Sequence, residues 1–215
     1  MELPLAPQGV FRTIQGEGTY AGTPMTFVRL AGCSVGCPQC DTDYSVAERT
    51  SVKDIVERCK ALYPPRKQIN SPGVSRQVIV EPSCSWVFVT GGEPTDHGDK
   101  LSTLIDELRS ADFDVAVATS GANEFTFPWS TFISCSPHST RMMLQRVDEI
   151  KLVPGLNGLS FDDCDRIASR VIVKHCRNRF MQPMDGSPIQ PCIEWVERHP
   201  GWRLSIQTHK VLGLP

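Results

Sequence analysis

Gly32-Cys33-Ser34-Val35-Gly36-Cys37-Pro38-Gln39-Cys40-Asp41-Thr42-Asp43-Tyr44 is the stretch from which the rest of the chain is read. Its three cysteines, Cys33, Cys37 and Cys40, have C-x3-C-x2-C spacing, and Gly36 and Pro38 flank the middle one. Glycine admits left-handed backbone and proline breaks a helix, so the stretch predicts a turning loop that can aim three sulfurs at one centre. Iron–sulfur clusters are held by thiolates, four for a four-iron cube. Three local thiolates leave one iron open to a small molecule. Zinc is an alternative, since closely spaced cysteines bind it tetrahedrally with a fourth ligand such as a His or a carboxylate. A disulfide leaves an odd cysteine over, and three inert buried thiols fit a polar Gly/Pro loop poorly. On spacing alone, iron–sulfur and zinc both stand.

The 215 residues suit one domain with a full core, 1–215, with 32–44 as the cluster loop and 63–84 as a possible excursion. Hydrophobic residues make up 40% and charged residues 21%, the profile of a globular chain. The net charge of −2 and the lack of a basic block argue for a small-molecule partner and against a nucleic acid. The opening residues, MELPLAP, do not read as a secretory signal, and no apolar run is long enough to cross a bilayer. Cys59, Cys84, Cys135, Cys164, Cys176 and Cys192 are scattered and read as ordinary small residues in a reducing, cytoplasmic setting.

Working outward from the loop, Met25–Ala31 reads as a strand whose apolar run is interrupted by Arg29. On a buried strand that Arg needs an anionic partner, from the protein or from a substrate. The preceding Gln15–Pro24 segment is polar and glycine-rich. It is either a surface loop or a backbone that approaches a ligand, with Gln15 and Glu17 supplying an amide and a carboxylate. Ser51–Leu62, capped by Ser51, Asp99–Ser110, Phe161–Ala168 and Gln190–Arg198 read as helices. Trp86–Thr90 reads as a buried strand running into Gly91-Gly92-Glu93-Pro94. Further strands are expected at 115–119, before Ser120-Gly121; at 132–136, before Pro137-His138; and at 149–153, with Lys151 in an apolar setting. Others are expected at 171–174, at 179–182 before Pro183-Met184, and at 204–207 before Thr208-His209-Lys210, with 77–80 a weaker candidate. Strands alternating with helices predict an α/β fold with a mostly parallel sheet and right-handed crossovers. The polar motifs follow strand ends, the edge at which such sheets bind ligands. The units fall short of a closed eightfold barrel, so a partial, open (β/α) barrel is expected.

With both motifs in this order, Cys33-x3-Cys37-x2-Cys40 and a strand-terminal Gly91-Gly92-Glu93-Pro94, the chain resembles the radical S-adenosylmethionine enzymes. The resemblance implies a [4Fe–4S] cluster on the three thiolates. Its free iron would chelate S-adenosylmethionine, whose reductive cleavage gives a 5′-deoxyadenosyl radical. It further implies cofactor contacts at Gly91, Gly92 and Glu93, at Thr119, Ser120 and Ser136, and at Gln182 and Met184. Ser136-Pro137-His138 departs from the Ser-Pro-Lys associated with this subgroup, which leaves the role of His138 open.

A narrower set of blocks spans the chain: Gln15-Gly16-Glu17-Gly18, Arg29-Leu-Ala-Gly-Cys33, Cys40-Asp41-Thr42, Glu149-Ile-Lys-Leu-Val153, Gln182-Pro-Met184 and Gln207-Thr-His-Lys210. Together they are similar to the 7-carboxy-7-deazaguanine synthase family. That resemblance implies conversion of 6-carboxy-5,6,7,8-tetrahydropterin to 7-carboxy-7-deazaguanine with loss of ammonia, on the way to 7-deazapurines such as queuosine. It implies hydrogen abstraction at C6 of the pterin and ring contraction. It also implies Arg29 on the substrate carboxylate, Gln15, Glu17, His209 and the C-terminal Pro215 on the pterin, and Mg²⁺ held through Thr42. A homodimer and an external electron donor such as flavodoxin go with it. Two rivals share parts of the pattern. A glycyl-radical-activating enzyme would need a protein-docking surface and has no use for Arg29 and Glu17. A non-enzymatic zinc module would use the three cysteines with Asp41 or Asp43.

Overall fold

The computed structural model describes residues 1–62, 68–69, 78–79 and 85–214. The strands are β1 (Glu2–Ile14), β2 (Pro24–Leu30), β3 (Glu48–Ser51), β4 (Gln68–Ile69), β5 (Val78–Ile79), β6 (Trp86–Gly91), β7 (Asp114–Thr119), β8 (Phe132–Cys135), β9 (Glu149–Leu152), β10 (Asn178–Met181) and β11 (Arg203–Leu204). The helices are α1 (Val52–Leu62), α2 (Asp99–Ser110), α3 (Phe161–Ala168), α4 (Val171–His175), α5 (Gln190–Arg198) and α6 (Thr208–Val211). Nine strands form one sheet in the order β11-β10-β9-β8-β7-β6-β2-β1-β3, and β4 and β5 pair separately. Every neighbour pair from β2 through β6 to β11 is parallel, while β1 runs antiparallel to both β2 and β3. The sheet is therefore open, with β11 and β3 at its edges, as the strand count predicts.

Side-chain alternation along the strands divides the molecule into two faces. Val28, Leu30, Val87, Val89, Val115, Val117, Ile133 and Ile150 belong to the main core with Ile55, Val56 and Cys59 of α1 and Leu101, Leu104, Ile105 and Leu108 of α2. The opposite face holds Met25, Phe27, Trp86, Phe88, Ala116, Ala118 and Phe132, with the Tyr20 ring tilted against Trp86 at 4.6 Å between centroids. The small Ala116 and Ala118 leave room there. Further along the same face the residues turn polar: Arg29, Thr90, Ser134, Glu149, Lys151 and Gln182.

α2 and α5 fall where the apolar spacing predicts them, and α1 begins after Ser51, whose Oγ accepts from Asp54 N at 3.1 Å. Three expectations are corrected. Residues 171–174 are helix, not strand. β9 and β10 are direct parallel neighbours, so everything between them must serve as crossover, and tertiary placement overrides the β preference of Val171-Ile172-Val173. The last strand is only Arg203–Leu204, and His209 lies in α6 rather than at a strand end. β1 was not legible because of Pro4, Pro7 and Gly9. Pro4 pairs in regular register with Arg49 of β3, and a register shift between Leu5 and Val10 takes up Pro7 and Gly9, where Gly9 takes φ 54°. The expected 77–80 strand is observed as Val78–Ile79. The remainder of the 63–84 excursion, Cys84 and Pro215 lie outside the described residues.

Two crossovers lack helices. Arginines satisfy backbone carbonyls there instead: Arg146 donates to Pro128 O and Thr131 O, and Arg170 to Thr140 O and Met142 O. Among the described residues no helix is long and apolar enough to cross a membrane.

Candidate active site

The cysteine loop is closed as a unit by Gly32 N donating to Tyr44 O at 2.8 Å. Gly36 takes φ 60°, the left-handed turn that its place before Cys37 predicts. A second element pins the loop. Asp96, in the 3₁₀ turn Pro94–His97, accepts from Ser34 N at 2.7 Å and Ser34 Oγ at 2.6 Å, and His97 Nε2 lies 3.1 Å from Ala31 O. Cys37 is buried, Cys33 half-buried and Cys40 exposed. Burial raises the Cys37 pKa, and the neighbouring Cys33 and Cys40 thiolates raise it further, as expected for sulfurs that share a small space. His138 Nδ1 lies 2.9 Å from Cys37 Sγ, so the His that departs from Ser-Pro-Lys belongs to the cysteine cradle.

Gly91-Gly92-Glu93-Pro94 is read out atom by atom. A Cβ on Gly91 would run into the Leu30 carbonyl oxygen, and one on Gly92 would run into Gly32 O and come within 2.9 Å of Cys33 Cβ. The glycines let the β6 end cross directly beneath the cysteine loop, where Glu93 N donates to Gly32 O at 3.0 Å. The Glu93 carboxylate is 1% exposed and fully engaged. Oε1 accepts from Thr95 N at 3.2 Å, Thr95 Oγ1 at 2.7 Å and Thr119 Oγ1 at 2.7 Å, and Oε2 from Ser120 N at 2.8 Å and from Ser120 Oγ. Its task in this geometry is to clamp the β7 end to the β6 end. The Thr119 and Ser120 hydroxyls point into that clamp.

The Gln15–Thr19 loop folds onto the polar inner face. Glu17 pairs with Lys151 of β9 and accepts from Gln182 Nε2 at 3.2 Å and Gln207 Nε2 at 2.8 Å. Its pKa is lowered to about 2: burial works against the charge, and Lys151, Gln207 and His209 overcome it. Glu149 accepts from Thr19 N at 2.5 Å and Ser134 Oγ at 2.7 Å. Both glycines of Gln-Gly-Glu-Gly are required by neighbours. A Cβ on Gly18 would strike the Glu149 carboxylate, and one on Gly16 the His209 ring.

Two adjoining cavities open at this edge. The larger, about 540 Å³, is bordered by Cys33, Cys37 and Cys40, by Gly91, Gly92, Glu93, Thr119, Ser120, Ser136, Gln182 and Met184, and by Glu17, Thr42 and His138. The smaller, about 260 Å³, is bordered by Gln15, Arg29, Thr42 and His209, together with Gly16 and Phe27. Asp41, Thr42 and Lys210 border both, and Lys210 ties Asp41 to Asp185. All the site residues singled out from the sequence, apart from the undescribed Pro215, are thus brought to one edge. Arg29 reaches over the Phe11 ring at 5.1 Å, and its Nε is buried without a hydrogen-bond partner. Burial lowers its pKa. Lys151, Gln207, Glu149 and Lys210 belong to the quoted blocks, yet the sequence alone names no partner for them. An isolated Lys in an apolar strand was the available signal.

Among the described residues no group of three His, Cys, Asp or Glu side chains is placed to hold a single metal ion. One zinc ion draws its ligands to a single point at about 2.3 Å from sulfur. A cube takes each thiolate at a separate corner. The donor set, three thiols over a glycine floor, fits a cube with one open corner. An open, mainly parallel α/β barrel with this cradle at the carboxyl ends of its strands defines a radical S-adenosylmethionine enzyme.

No protein-family model matches the chain. It is 30% identical to the 7-carboxy-7-deazaguanine synthase of Rickettsia prowazekii over 98% of this chain and 88% of that protein. It is 32% identical to that of Prochlorococcus marinus over 95% of each. A crystal structure of QueE from Escherichia coli superposes with a TM-score of 0.69 at 25% identity, covering 96% of this chain and 94% of that one. The chain belongs to the 7-carboxy-7-deazaguanine synthase family and is an enzyme of that kind.

Proposed function

We propose that this enzyme, acting as a single domain, contracts 6-carboxy-5,6,7,8-tetrahydropterin to 7-carboxy-7-deazaguanine with release of ammonia, an early step toward queuosine-type 7-deazapurines. The observation that carries the substrate assignment is Arg29, a half-buried side chain whose buried Nε has no partner, facing a cavity beside Thr42 and His209. A substrate carboxylate supplies the missing acceptor. When bound, the [4Fe–4S] cluster on Cys33, Cys37 and Cys40 and its S-adenosylmethionine supply the hydrogen-abstracting radical.

The chain's own residues bind, orient and shield. Gly91 and Gly92 let the β6 end pass directly beneath the cysteine loop, and with Ser136 and Met184 they border the same cavity. Glu17 stays ionised and accepts from a heterocyclic N–H. Gln15 Oε1 accepts from Glu17 N at 3.1 Å, which turns the loop toward the cavity. His209, packed on Gly16, closes the pterin side. Thr42, on the border of both cavities, is where Mg²⁺ would be held by one hydroxyl plus substrate oxygens and water. The assembly is a homodimer, reduced by an external donor of the flavodoxin type.

Arg29→Met tests the substrate assignment. KM for the carboxylated pterin should rise about 10- to 100-fold, the size of a lost charge-assisted hydrogen bond. Binding of S-adenosylmethionine should stay unchanged. An unaltered KM would remove Arg29 from the substrate and with it the assignment.

A further inference from the structure

Glu17 is gripped from several elements. β9 supplies Lys151 on Oε2, while Gln182 after β10 and Gln207 before α6 share Oε1. Lys151 is 8% exposed at its side chain and borders neither of the two cavities described above, so its reach ends at Glu17. Its strand neighbour on the same face, Glu149, is occupied with Thr19 N and Ser134 Oγ, and α6 brings His209 to the other side of the loop. Two side chains of one strand thus hold residues 17 to 19 in place.

A carboxylate offers about four acceptor positions. The two amides fill those of Oε1 and the ammonium fills one on Oε2, which leaves one. We infer that Lys151 is a positioning residue for substrate recognition: it holds Glu17 as an anionic acceptor with a single free lone pair at the cavity wall, fit for one N–H of a nitrogen heterocycle rather than for both prongs of an amidine edge. This inference deepens the pterin reading and rests on it.

Replacing Lys151 by Met leaves Glu17 buried without its cation. Burial then favours the protonated carboxyl, which presents a donor where the substrate needs an acceptor. The sign follows: Glu17 is ionised throughout the neutral range in the wild type, whereas in the variant it gains a proton as pH falls. KM for the pterin in Lys151→Met should therefore rise about tenfold or more, and rise further from pH 8 to pH 6, with kcat less affected. Lys151→Arg should restore a low KM with the wild-type pH profile. Glu149 and His209 are common to all these proteins, so the difference between profiles isolates the pair. A purely structural role for Lys151 would lower yield and melting temperature without a pH-dependent KM. A pH-independent KM difference, or Lys151→Arg behaving as Lys151→Met does, overturns the inference. Should Lys151→Met not fold, Lys151→Gln, which keeps a donor without the charge, carries the same test. If the wild type makes no product from the pterin, the substrate reading has failed. If it does and the variants match it, only the role of Lys151 has.

Discussion

Glu93→Gln separates a clamp from a cofactor contact. The substitution keeps size and removes one acceptor oxygen. Oε1 serves Thr95 N and Oε2 serves Ser120 N, so either orientation of the new amide points its NH₂ at a backbone N–H that cannot rotate away. The three hydroxyls can turn; the two backbone donors cannot. Each buried group left without a partner costs about 1–3 kcal/mol, so the pair set against each other costs about 2–6 kcal/mol. That is a large part of a typical total of about 5–15 kcal/mol. For a chain of this length each kcal/mol moves the melting temperature about 2–4 °C, giving a fall of roughly 4–24 °C. The assay is calorimetry of the protein prepared without cluster and without S-adenosylmethionine. A ligand contact would leave that melt unchanged and weaken only cofactor binding. Unloaded Glu93→Gln melting within about 2 °C of the wild type would refute the clamp.

Gly92→Ala should fold but take up little iron and sulfide on anaerobic reconstitution, because its Cβ runs into the Gly32 carbonyl oxygen and crowds Cys33; iron counted per chain checks this. Cys40→Ala should hold no stable cluster and give no turnover. Cys59→Ala, at a buried thiol whose pKa is pushed up to about 12, should keep full loading at a cost of about 1–2 kcal/mol in stability. Glu17 has a folded pKa of about 2 against 4.5, so its contribution to stability is present above pH 4.5 and is lost as pH falls toward 2. Glu17→Gln should flatten that acid limb in urea titrations at successive pH values.

How much the sequence reveals depends on where each residue's constraint comes from. The C-x3-C-x2-C loop, the helices with Leu101, Leu104, Ile105 and Leu108 or with Cys192 and Trp195, and the strand ahead of Gly91 carry their constraints locally, and these were legible. β1 was hidden because it carries two prolines, Pro7 within an irregular register with β2, and α4 because a β-branched triplet was forced into a crossover. At the site, residue types were legible but not partners. Glu93 reads as a ligand contact in a motif, yet five donors converge on it from β7 and the neighbouring turn. Gln182 reads as an adenine contact, yet its amide serves Glu17 and Ser205. Gln207 and Lys151 meet Glu17 across more than 130 residues of chain, a separation that no local pattern encodes.

The proposed chemistry needs three sulfurs to present an open iron beside a cavity that receives a carboxylated pterin. Mass analysis of an anaerobic incubation of the reconstituted enzyme with S-adenosylmethionine, reductant and 6-carboxy-5,6,7,8-tetrahydropterin tests it most directly. The expected result is 7-carboxy-7-deazaguanine with ammonia, formed by the wild type and absent with Cys40→Ala. Unchanged pterin beside a fully loaded cluster, or product formed by the cluster-free variant, would contradict it.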